Sequence, residues 1–133
     1  MGTNYYLVKG EHYPEYNNGS IISHMLKWGT GRPPMIHIGK SSAGWCFGLH
    51  VYPDFAIKTL DDWKNFTTKM LADGWHIEDE YRTVYTPEQL WNEVERVFWR
   101  ISEDRPLLRR TIHSGICIGH GEGLYDYLVG DFS

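Results

Sequence analysis

The chain has 133 residues, with 13 Lys and Arg against 17 Asp and Glu, for a formal net charge of −4 with histidine neutral. That length suits a single domain, residues 1–133. The acidic balance argues against non-specific binding to nucleic acid or anionic membrane through a generally basic surface, while leaving room for a local basic site.

Asn4 to Val8 (NYYLV) is short, aromatic and apolar, and predicts an opening strand. Glu11–Gly19 and Gly29–Pro34 read as loops, the second because Pro33 and Pro34 remove donors and push their predecessors towards extended geometry. Met35–Ile38 and Trp45–Tyr52 predict the two strands of a hairpin joined by a long glycine-bounded loop, Gly39–Gly44. In the second strand Trp45, Phe47, Leu49 and Val51 alternate with Cys46, Gly48 and His50, so the first set is expected to face the core and the second the other side. Thr59–Asp73 predicts a helix. Thr59 and Asp62 have capping-box spacing, Leu60, Trp63, Phe66, Met70 and Leu71 form its apolar stripe, and Gly74 can close it. His76–Val84 predicts a strand, solvated or at an edge because of Glu78-Asp79-Glu80. Pro87–Ile101 predicts a second helix, with Thr86 as N-cap, Gln89 completing the box, and Leu90, Trp91, Val94, Val97, Phe98 and Ile101 buried. Ile116–Ile118 and Leu124–Val129 are further short strands. Strands that do not strictly alternate with helices predict an α+β fold, a mostly antiparallel sheet with two helices packed on it.

No catalytic set is assigned. Gly39-Lys40-Ser41 is not a nucleotide-hydrolysing phosphate loop, because Pro34 stands where that motif needs its first glycine and a strand follows where it needs a helix. The same residues form either a small anion-binding nest or a solvated turn. Seven histidines, His12, His24, His37, His50, His76, His113 and His120, show no compact zinc spacing. His113, Cys117 and His120 make the best local cluster, and His37 and His50 lie where cross-strand neighbours can meet. Cys46 and Cys117 read as small buried hydrophobes. Two cysteines, no apolar run of membrane-span length and no signal-peptide layout point to a reducing cytoplasm. Glu78 and Glu80 share a face, and the run reads as solvated. Six Trp, nine Tyr and five Phe exceed what a small core needs, and such aromatics often lie at contact surfaces.

Three segments carry a resemblance: the opening Met1-Gly2-Thr3-Asn4-Tyr5-Tyr6, the block His37-Ile38-Gly39-Lys40-Ser41-Ser42-Ala43-Gly44-Trp45, and the close from Gly121-Glu122-Gly123 to Phe132-Ser133. On these, the chain resembles a family of small, mostly uncharacterised bacteriophage and prophage proteins. Many members carry a Cys-x2-Cys knuckle before the central block, implying a zinc there. Residues 9 to 36 of this chain contain no cysteine, so no metal ligand is carried over. The resemblance implies a phage context inside a host bacterial cytoplasm and names no activity or cofactor.

Three functions follow as expectations. The first is a non-enzymatic accessory protein that binds a host bacterial protein, such as a defence-system component. The second is a binder of nucleotide or nucleic acid through Gly39–Gly44, with Lys40 meeting phosphate and Trp45 stacking a base. The third is a small metal-dependent hydrolase drawing on the histidines and acids. The binding residues assigned are His37, Gly39, Lys40, Ser41, Ser42 and Trp45.

Overall fold

The structure is a computed structural model that describes residues 2–9, 26–27, 35–42, 44–95, 108–112, 116–121 and 125–130. The opening strand β1, Gly2–Lys9, starts two residues earlier than its apolar pattern predicts. It buries Tyr5 and Leu7 on one face and Asn4 and Val8 on the other, and it has neighbours on both edges. Those neighbours are β3, Met35–Ser42, and β5, Trp75–Asp79, both antiparallel to it. A short β2, Leu26–Lys27, also pairs with β3. The remaining strands are β4, Phe47–His50, β6, Val84–Tyr85, β7, Cys117–His120, and β8, Tyr125–Leu128. The sheet order is β6-β5-β1-β3-β4-β8-β7. Every named pair is antiparallel except β4 with β8.

Helix α1, Leu60–Ala72, begins with the expected box: the Asp62 amide donates to Thr59 Oγ1 at 3.1 Å and Asp62 Oδ2 accepts from the Thr59 amide at 3.2 Å. Helix α2, Pro87–Glu95, starts the same way. The Gln89 amide donates to Thr86 Oγ1 at 3.1 Å, and Gln89 Oε1 accepts from the Thr86 amide at 2.8 Å. Leu90 and Val94 are buried as predicted, while Val97, Phe98 and Ile101 lie outside the described residues. Leu60, Trp63 and Met70 of α1 and Leu90 and Val94 of α2 join Leu7, Ile36, Phe47, Leu49 and Ile77 of the sheet in one buried cluster. This is the α+β arrangement expected, two helices on a mostly antiparallel sheet. Thr86→Ala is expected to cost about 1 kcal/mol of stability, because the Gln89 amide loses its acceptor. Chemical denaturation measures it, and a loss under about 0.3 kcal/mol would place the start of α2 elsewhere.

Three expectations need correction. The Gly39–Gly44 loop is mostly strand: β3 runs through Ser42, and Gly39 to Ser42 pair with Tyr5 to Gly2 of β1. Only a tight turn remains, closed by the Trp45 amide donating to the Ser42 carbonyl at 3.1 Å, with Gly44 at φ +82. Trp45 therefore sits in the turn and is 39% exposed rather than in the core, while Cys46 and His50, on the side opposite Phe47 and Leu49, are themselves buried. Finally, β5 is an interior strand that ends at Asp79, because the chain turns there into β6. The Asp79 carboxylate makes that turn: Oδ1 accepts from the amides of Tyr81 and Thr83, and Oδ2 from the Tyr85 hydroxyl. The acidic run is thus partly a buried turn anchor. Glu11–Gly19 and Gly29–Pro34 lie outside the described residues.

Candidate functional site

The six residues singled out in the sequence separate into different environments. His37 is fully buried. Its Nε2 lies 2.9 Å from Asn4 Oδ1 and its Nδ1 lies 2.8 Å from His50 Nδ1. Asn4 Nδ2 points at Glu80 Oε1, which sets the amide so that its oxygen faces the ring. An amide oxygen only accepts, so His37 carries a proton on Nε2, and in the neutral ring Nδ1 accepts from His50. The Tyr52 hydroxyl donates to the His37 carbonyl at 2.9 Å, and burial pushes its pKa up. This is an internal polar chain, tying β1, β3 and β4 together.

Gly39 is a packing glycine: a methyl group there would collide with the Phe47 ring and the Gly48 carbonyl. Ser41 turns towards the helices, where its side chain hydrogen-bonds Tyr5, whose hydroxyl is pushed up to about 12, chiefly by burial. Ser42 closes the turn through its carbonyl. Lys40 is half-buried, and a methyl on Gly2 would strike its stem.

Lys40 and Trp45 instead belong to an assembly that only strand register reveals. Asn4, Lys40, Gly48, Asp126 and His120 are directly opposite one another across β1, β3, β4, β8 and β7. Paired residues present their side chains on one face, so these form a row across five strands. Gly48 leaves a gap in the row, which the Leu128 side chain occupies, with the Arg110 guanidinium beside it, 3.4 Å from where a β-carbon would be. There Arg110 donates from Nη1 to the Cys46 carbonyl at 2.8 Å and lies 5.6 Å from the centre of the Trp45 ring. Asp126 is fully buried and holds both arginines. Oδ2 accepts from the Arg110 amide at 3.0 Å and from its Nη1 at 3.4 Å, and Oδ1 accepts from Arg109 Nη1 at 3.3 Å. Trp45 is bridged to Leu108 in parallel fashion, which brings this arginine segment against the turn.

Cys117, His120 and Asp126 also meet here, their ligand atoms all within 4.8 Å of one another. The pattern had indicated Cys117 and His120, and His113 lies outside the described residues. The set does not read as a nucleophile. Burial pushes the Cys117 thiol up, and it donates to the Gly119 carbonyl at 3.4 Å rather than to His120. His120 Nε2 is 2.9 Å from the Arg110 carbonyl, which requires a proton on that nitrogen. The Asp126 carboxylate is engaged by both arginines, so the arrangement serves as a charge hub that fixes two guanidiniums. No protein-family model matches the chain, and no curated protein or solved structure matches it.

Outside the hub, six large apolar side chains are exposed among the described residues: Trp45, Leu108 at 56%, Ile112 at 45% and Ile118 at 52%, and, at the β5–β6 turn and on β6, Tyr81 and Val84. The first four lie in the β3–β4 turn, in the arginine segment bridged to it and on the edge strand β7. Sequence reasoning found Trp45 but missed Arg109, Arg110 and Asp126, since nothing in their local pattern signals that they converge. Among the described residues, no helix is long and apolar enough to cross a membrane.

Proposed function

We propose that this protein is a non-enzymatic binding protein that engages a partner protein through Trp45, Leu108, Arg109 and Arg110, with Ile112 and Ile118 beside them. The observation that carries the reading is the Trp45–Arg110 pair. An exposed indole stands beside a guanidinium held in place by a fully buried carboxylate and a backbone carbonyl. Tryptophan and arginine are the side chains most often found at the centre of binding hot spots, and pre-ordering them lowers the entropy lost on association. The surrounding exposed aliphatics favour a protein surface over a polyanion, as does the −4 net charge. The resemblance to phage-encoded proteins makes that partner a host bacterial protein, met in the cytoplasm.

Affinity capture from a bacterial lysate followed by mass spectrometry names the partner, and titration with the purified partner tests the surface. Trp45→Ala is expected to weaken binding roughly 30-fold, the effect of a hot spot of about 2 kcal/mol, with little change in melting temperature. Unchanged affinity in this variant removes the surface from the proposal. Saturable binding of a single-stranded oligonucleotide that is lost in Trp45→Ala would replace it with the nucleic-acid reading.

A further inference from the structure

A cavity of about 360 Å³ opens on the sheet well away from the arginine hub, lined by Tyr6, Val8, Met35, Glu78, Asp79, Glu80 and Arg82. Tyr6 lies directly opposite Glu78, and Val8 directly opposite Met35, so these four side chains share one face. That face is turned away from Leu7, Ile36 and Ile77, which go into the core under the helices. The sheet face under the cavity therefore carries one aromatic ring, the Val8 and Met35 side chains and the Glu78 carboxylate, and Asp79, Glu80 and Arg82 complete the lining.

The acidic groups of the lining differ in how far they are already neutralised. The Asp79 carboxylate is taken up by the turn amides and Tyr85. Glu78 is paired with His76. Glu80 Oε1 accepts from the Asn4 amide at 2.9 Å and from Asn4 Nδ2 at 3.5 Å, and both donors are neutral. Its partners orient the carboxylate without cancelling its charge. Among the described residues Glu80 has no ion pair.

We infer that this cavity binds a small organic cation, a protonated amine with an apolar body. The ammonium would meet the oriented Glu80 carboxylate and the hydrocarbon would lie on Tyr6, Val8 and Met35. Three physical arguments select that class. The volume is that of a small-molecule site, and such sites combine an apolar lining with a few fixed polar groups. Among the described residues, three carboxylates against one guanidinium leave the lining negative, which disfavours anions. Hard divalent ions need six or more oxygens, whereas here an apolar surface adjoins carboxylates that already have partners. An ammonium beside the Tyr6 ring also gains from its quadrupole. The inference stands independently of the surface at Trp45.

Titration of the isotope-labelled full chain with benzylamine, benzyl alcohol and phenylacetate, followed by amide NMR, tests it. Benzylamine is expected to give saturable millimolar shifts at Tyr6, Val8, Glu78 and Glu80, about tenfold tighter than the alcohol, as one charge-assisted hydrogen bond allows. Phenylacetate should give none. Glu80→Gln keeps the acceptor for Asn4 and should remove the tenfold preference while leaving amides outside the cavity unmoved. If that variant fails to fold, Met35→Trp fills the cavity instead and should abolish benzylamine binding. Equal affinity for the amine and the alcohol, binding of phenylacetate, or no saturable shift around the cavity would each overturn the inference.

Discussion

Asp126→Asn is expected to destabilise the protein by about 3 kcal/mol, towards the low end of what breaking a buried ion pair costs. The carboxylate is fully buried and has three hydrogen-bond donors from two adjacent arginines. Asparagine keeps the shape but removes the charge, and it turns an amide NH2 towards one set of donors. Both guanidiniums then lose their counterion. Their side chains remain 33% and 16% exposed at Arg109 and Arg110, so water recovers part of the loss and the upper end of the range is not reached. For a chain of this length the shift in melting temperature should be on the order of 10 °C. Thermal and urea unfolding of the variant measure it. The loss should shrink when Arg109→Met and Arg110→Met are already present, since the three act as one network. A cost below about 1 kcal/mol, or full additivity with the arginine variants, would show that the hub is not a coupled unit. The effect also reaches the proposed surface, because Arg110 without Asp126 is held beside Trp45 only by the Cys46 carbonyl.

Phe47→Ala should cost about 3–5 kcal/mol, the usual range for a fully buried phenylalanine. The ring is inaccessible to solvent, lies 5.7 Å from Tyr5 at a tilt of 38°, and rests against the backbone of Gly39. Nothing nearby can collapse into the space. Gly39 has no side chain, and β3 and β4 are tied by pairing at Gly39 with Leu49 and Lys40 with Gly48. The cost should therefore include most of the cavity term as well as the lost transfer energy. Denaturant midpoints at unchanged slope would measure it, and a loss under about 1 kcal/mol would mean the strand faces the other way.

The parts of the fold legible in the sequence are those held by short-range bonds. Thr59 with Asp62 and Thr86 with Gln89 are three residues apart, so the helix starts follow from composition and spacing alone. The alternation at Phe47 and Leu49 likewise identified the core face of β4, and strands that fail to alternate with helices gave away the α+β class. Only the tertiary structure decided what the central block does. Gly39-Lys40-Ser41-Ser42 looked like a loop because its glycine and hydroxyls suit turns, yet its backbone groups are satisfied by Gly2 to Tyr5 of β1, a partner no local pattern reveals. The acids after Ile77 looked solvated because the donors that bury Asp79 and hold Glu80 come from a tight turn and from Asn4. The row from Asn4 to His120 exists only once five strands are in register, one of them paired in parallel, and only then do Arg110 and Asp126 reach Trp45. Helix caps are encoded by neighbours three residues apart in the chain, whereas strand order is chosen by the burial of the whole sheet. The helices and the fold class were therefore determined by the sequence alone, and the composition of the site by the pairing of distant strands.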